Sequence, residues 1–262
     1  MIRKILHIVF WLLILSWFII ILGFISDKSS EIMCKRISIE VSDSSEVKFI
    51  TTANVWEMIK ETDIDIQGYP VSEINTRHLE RSLERNPYVE NAEAYITVDG
   101  DLYLKVEQRK PVVRVMPQGR GGFYIDSNGE FLPLSSSYSP MVLLVTGNLF
   151  VPENIRLEGL QHKDSVDTEH SYLFEVLDFA RYIDTHPFWK QQIVQIYRDR
   201  AGDYELIPRV GAHQILFGTM ENYEEKLRNL KLLYEQGFQM YGWNNYSKIN
   251  LKYSNQVICT KR

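Results

Sequence analysis

The sequence predicts an α+β protein built from an N-terminal single transmembrane helix, a β-α-α-β-β domain, and a mostly antiparallel β domain with flanking helices. Three observations carry this. Residues 5–25 form a nearly unbroken apolar run. Two amphipathic helical patterns between residues 51 and 85 sit between alternating, strand-like segments. Beyond residue 110, short alternating runs separated by turn residues dominate.

The first part rests on the run Ile5–Ile25, interrupted only by His7, Ser16 and Gly23. That length spans a hydrocarbon core as a helix. A cleaved signal peptide is the competing reading. Its apolar region is shorter and ends in small residues, whereas Phe24-Ile25-Ser26-Asp27-Lys28 has no such site. The expectation is therefore a retained membrane anchor, with Ile5 and Ile25 at its ends and Trp11 and Trp17 within it. Arg3 and Lys4 flank it on the N-terminal side, so residues 1–4 are expected in the cytoplasm and the bulk of the chain outside it. Residues 26–35 read as a polar stalk. With a net charge of −5 nothing in the composition points to nucleic-acid binding, and no nucleic-acid partner is expected. Cys34 and Cys259 are expected to be unpaired, although an extracytoplasmic location permits a disulfide.

The second part is expected over residues 36–110. Ile37, Ile39 and Val41 alternate on one strand face. Thr51 or Thr52 caps a short helix bearing Val55 and Ile59. Asn75-Thr76 opens a second helix, Arg77–Arg85, in which Leu79 and Leu83 face inward one turn apart. Asn86-Pro87 stops that helix. Two strands follow, Ala92–Val98 and Leu102–Glu107, joined by a hairpin at Asp99-Gly100.

The third part is expected over residues 111–262. Val112–Val115, Phe123–Asp126 and Pro140–Thr146 read as strands, and residues 171–185 as an amphipathic helix. A meander of Ile193–Tyr197, Tyr204–Ile207 and Gln214–Phe217 comes next. A long helix, Glu221–Gln236, follows with Gly237 as its cap, and a strand-like terminal segment runs from Ile249 to Cys259.

Catalytic patterns are missing. There is no G-x-S-x-G, H-E-x-x-H, phosphate loop or C-x-x-C. The six histidines are scattered, and no carboxylate pair stands out. Gly119-Arg120-Gly121-Gly122 lies between two strands and reads as a turn, not a phosphate cradle. No enzyme activity and no cofactor or metal is expected.

Several stretches resemble the FtsQ/DivIB cell-division family. Leu79-x-x-x-Leu83 leading into Asn86-Pro87-Tyr88-Val89 is similar to its helix-to-strand junction, within a unit that resembles a POTRA domain. Glu107-x-x-x-Pro111-Val112-Val113-Arg114 resembles its domain junction, and Tyr124-Ile125-Asp126-x-x-Gly129 the hairpin that opens its β domain. Ile249-Asn250-Leu251-Lys252-Tyr253 resembles its terminal strand, with Asn250 and Lys252 standing where the family has aspartate and arginine.

The resemblance implies a non-enzymatic scaffold of the divisome in the inner membrane at the septum. Its partners would be FtsB- and FtsL-like bitopic proteins and, indirectly, the FtsW/FtsI-like wall synthases. It implies that an FtsB-like strand is received near Lys252, Tyr253, Asn255, Gln256 and Val257. A POTRA-bearing translocation or assembly factor is a rival, but the sequence has one such unit and no room for a barrel. An anchored cell-wall enzyme is the other.

Overall fold

In the computed structural model the described residues are 7, 10–20, 32–42, 47–62, 66–119, 121–151, 172–253 and 256–262. They fall into two compact units, Met1–Gln108 and Arg109–Arg262.

The expected transmembrane helix is not supported. Among the described residues, no helix is long and apolar enough to cross a membrane. The continuous helical stretch covers residues 10–20. Trp11 and Trp17 lie exposed on this stretch. Ile5 and Ile25 are outside the described residues.

The first unit has the expected β-α-α-β-β order. β1 (Arg36–Ser42) is followed by α1 (Thr52–Glu61), α2 (Thr76–Glu84), β2 (Val89–Ile96) and β3 (Asp101–Gln108). The strand order is β1-β3-β2, with β1 parallel and β2 antiparallel to the central strand. Thr51 caps α1 and Asn75 caps α2, each accepting a backbone N–H with its side-chain oxygen. Val55, Ile59, Leu79 and Leu83 of the helices are buried, as are Leu102, Leu104 and Val106 of the central strand. Asn86 ends α2 as its sequence suggests: its Oδ1 accepts the Tyr88 N–H at 3.0 Å and its C=O accepts the Val89 N–H at 2.9 Å. Tyr88 stacks on Phe49 with ring centroids 4.7 Å apart. β2 therefore begins three residues earlier than alternation alone indicates.

The second unit is one nine-stranded sheet covered by helices. Its strands are β4 (Pro111–Pro117), β5 (Phe123–Asp126), β6 (Phe131–Pro133), β7 (Leu143–Gly147), β8 (Ile193–Arg198), β9 (Tyr204–Pro208), β10 (Gln214–Gly218), β11 (Tyr246–Asn250) and β12 (Ile258–Lys261). They lie in the order β12-β11-β10-β9-β8-β7-β4-β5-β6. Pairing is mixed, because β4–β7, β7–β8 and β10–β11 run parallel. Parallel neighbours need crossovers. α3 (Tyr172–Thr185) and α4 (Pro187–Gln192) lie in one, and α5 (Tyr223–Leu232) in another. Leu173, Val176, Leu177, Ala180 and Ile183 of α3 bury in the same core as Val113, Ile125, Ile196 and Leu206 of the sheet.

Asp126 explains the hairpin that opens this unit. Its Oδ1 accepts the N–H groups of Asn128 and Glu130 at 2.8 and 2.9 Å, and its Oδ2 pairs with Arg109 at 3.0 Å. Gly129 takes φ 93° in the turn so formed.

The long helix departs from its expected end. After α5 the chain widens into a π-helical turn, Leu233–Gly237, and continues as α6 (Phe238–Tyr241). Gly237 keeps a right-handed conformation, and the positive φ of 81° falls at Gly242. Cys34 and Cys259 are free, as expected.

Candidate partner-binding edge

Among the described residues β12 is the last strand of the sheet and pairs on one side only, with β11. The Arg262 N–H donates to the Asn245 C=O at 3.1 Å, and the Leu251 N–H donates away from β12 to the Leu216 C=O at 2.8 Å. Alternation from these two bonds turns the backbone groups of Ile258 and Thr260 toward β11 and those of Cys259 and Lys261 outward. A row of outward N–H and C=O groups is a template for another strand.

The residues expected to receive a partner do not lie in β12. Lys252 and Tyr253 follow β11 in the connection to β12, and Gln256 and Val257 immediately precede β12. Asn255 is outside the described residues. The structure thus brings four of the five to one end of the edge strand. Tyr253 is 53% exposed, and Ile258 at the start of β12 is exposed as well.

Lys252 already has a partner that spacing did not reveal. Its Nζ donates to Oδ2 of Asp203, in the β8–β9 turn. Its backbone N–H donates to Oδ1 of Asn250 at 2.9 Å. The Asp203 carboxylate holds the Lys252 ammonium above its ordinary pKa. Nearby, burial lowers the pKa of Lys226, whose Nζ donates to the carbonyls of Thr219 at 2.6 Å and Phe217 at 3.2 Å.

Beside β12 the π turn and α6 wall a groove of about 570 Å³, lined by Leu232, Leu233, Gly237, Met240 and Val257 among others. Leu232 is 46% and Met240 79% exposed. A Cβ on Gly237 would stand 2.7 Å from Leu233 Cδ1, so glycine lets that side chain sit close to the turn. The groove was not anticipated. The eight-residue spacing of Leu232 and Met240 gave a hint, but the π turn obscures a 3.6-residue period.

An aromatic cluster supports this end of the sheet. His213 is 3% exposed, and its Nε2 lies 2.9 Å from the Tyr234 hydroxyl. Phe238 stands 5.5 Å from His213 and 5.0 Å from Trp243, ring to ring, and stacks on Tyr246 of β11 at 5.7 Å. Burial, with the Arg262 charge, pushes the His213 pKa down. The two histidines His162 and His170 are outside the described residues. Among the described residues no group of three or more His, Cys, Asp or Glu side chains could hold a metal ion.

The family model described as FtsQ/DivIB, C-terminal related matches residues 110–260, and the model of a POTRA-like domain matches residues 32–107. No curated protein sequence matches the chain. The first match covers more than half of the 262 residues and runs from β4 into β12. The chain therefore belongs to the FtsQ/DivIB family of cell-division proteins.

Proposed function

We propose that the chain is a non-enzymatic scaffold of the divisome, acting at the septum, that takes up a strand of an FtsB-like protein along β12. FtsL-like proteins would join through that partner, and FtsW/FtsI-like wall synthases through the resulting complex. The observation that supports this reading is the position of β12 at the end of the sheet, with Cys259 and Lys261 turned outward. Each backbone hydrogen bond contributes about 0.5–1.5 kcal/mol net. A few of them, together with burial of Tyr253 and an apolar side chain in the neighbouring groove, are enough for affinity of roughly micromolar order.

Lys252 and Tyr253 would contact the partner at one end of the added strand, with Asn255, Gln256 and Val257 along the approach to β12. Lys252 can exchange Asp203 for a partner carboxylate at small cost, because an exposed ion pair of this kind is worth about 0–1 kcal/mol.

Two substitutions test the reading against purified FtsB-like ectodomain. Lys261→Pro removes an outward N–H, and Tyr253→Asp places a charge where an aromatic contact is expected. Each weakens binding at least about tenfold, a loss of about 1.4 kcal/mol. Undiminished affinity of both variants rejects β12 as the site.

A further inference from the structure

The first unit has two sheet edges of unequal character. β2 is blunted twice. A bulge interrupts its pairing between Val89 and Asn91, and the Glu80 carboxylate of α2 accepts the outward N–H of Ala94 at 2.8 Å. Both are ways of keeping a second strand off an edge. β1 has neither. Its register with β3 runs without a shift from Arg36 to Ser42, and the strand RISIEVS contains no proline, glycine or lysine.

The outward groups of β1 follow from the register. The Thr97 N–H donates to the Asp101 C=O, so Asp101 faces β2 and the Leu102, Leu104 and Val106 amides face β1. In the parallel pairing these meet Arg36, Ser38, Glu40 and Ser42. The N–H and C=O groups of Ile37, Ile39 and Val41 then point to the open side. The side chains of these three residues are half-buried, while Leu102, Leu104 and Val106 next to them are fully buried. The apolar layer of the unit thus continues to the edge, where no strand among the described residues pairs with it.

We propose that β1 pairs antiparallel with β1 of a second copy of this chain, across a two-fold axis at Ile39, joining two three-stranded sheets into one of six. The strand is self-complementary in this register. Ile39 meets Ile39 of the partner, Ile37 meets Val41, and these residues exchange the backbone bonds. On the opposite face Ser38 meets Glu40 and Arg36 meets Ser42, so no like charges oppose. A shift of the axis to Glu40 would set two carboxylates against each other. Upstream, Met33 already bridges to Pro70, and Cys34 exchanges bonds with Gly68 and Tyr69, which limits the pairing to β1 itself. A seven-residue edge gives a weak, concentration-dependent dimer rather than an obligate one.

The register makes opposite predictions at one surface position. Cross-strand pairs of this kind contribute about 0.2–1 kcal/mol, and the two-fold axis counts each twice. Ser38→Lys, facing Glu40 of the partner, should tighten the dimer about fivefold in sedimentation-velocity measurements on the full chain. Ser38→Glu should weaken it by a similar factor. Thermal unfolding of each variant checks that the fold is kept. Mixing Ser38→Cys chains with Glu40→Cys chains under oxidising conditions should give a disulfide-linked pair that neither variant gives alone. A chain that stays monomeric at every concentration overturns the proposal and leaves the edge to another protein. A dimer that responds to Lys and Glu alike, or a mixture that does not cross-link, places any self-association elsewhere and overturns it equally.

Discussion

Replacing Tyr234 by phenylalanine tests whether the His213 cluster holds the β11–β12 end of the sheet. The substitution removes one hydroxyl and keeps the ring contacts, which reach Trp243 at 5.0 Å and Phe238 at 5.4 Å. His213 loses its Nε2 partner at 2.9 Å while its Nδ1 is already buried without one. A buried polar group left unpaired costs about 1–3 kcal/mol. Both residues are 3% exposed, so water does not readily replace the lost bond. Tyr234→Phe should therefore destabilise the second unit by about 1–3 kcal/mol in denaturant unfolding followed by tryptophan fluorescence, since Trp189 and Trp243 lie beside the site. The cycle with His213→Phe isolates the bond. In that background Tyr234→Phe should cost less than about 0.5 kcal/mol, because the hydroxyl no longer has the imidazole to meet. Equal losses in both backgrounds would show that the hydroxyl acts through something other than His213, and the account of the cluster would fail.

Two other outcomes follow from the same geometry. His213 has its folded-state pKa depressed by burial and, secondarily, by Arg262, with the Tyr234 hydroxyl facing its Nε2. The unfolded chain then binds more protons as pH falls, so stability is full above about pH 6.5 and declines through that value toward the folded pKa; His213→Phe should flatten this part of a melting-temperature profile. At Gly147, φ is 107° and a Cβ would lie 2.1 Å from the Arg198 C=O, so Gly147→Ala should destabilise the β7–β8 pairing by more than about 1–3 kcal/mol in the same unfolding assay.

Local chemistry made much of the architecture legible. Leu79 and Leu83 one turn apart, the Asn86-Pro87 stop and the Asp99-Gly100 turn each depend on neighbours a few residues away, and each appears where expected. The Tyr124-Ile125-Asp126-x-x-Gly129 stretch did so as well, because Asp126 folds its own turn. The expected transmembrane helix fails differently. Apolar composition over residues 5–25 reports hydrophobicity alone, and among the described residues no helix is long and apolar enough to cross a membrane. The end of α5 was misjudged at Gly237 because a π turn keeps glycine right-handed and postpones the positive φ to Gly242.

The proposed partner-binding end shows the same division within a few residues. Lys252 and Tyr253 stand out in the linear order, since a short strand-like pattern and a family resemblance both reside in consecutive residues. That Lys252 is held by Asp203, 49 positions away, cannot be read from either. Nor can strand order. The strand-like pattern from Ile249 to Cys259 does not say that the segment divides between two strands, Tyr246–Asn250 and Ile258–Lys261, or that β11 joins β10 in parallel. Those outcomes depend on which distant pairings bury the most apolar surface together, and that competition is resolved only when α3, α5 and the aromatic cluster around His213 pack against the assembled sheet.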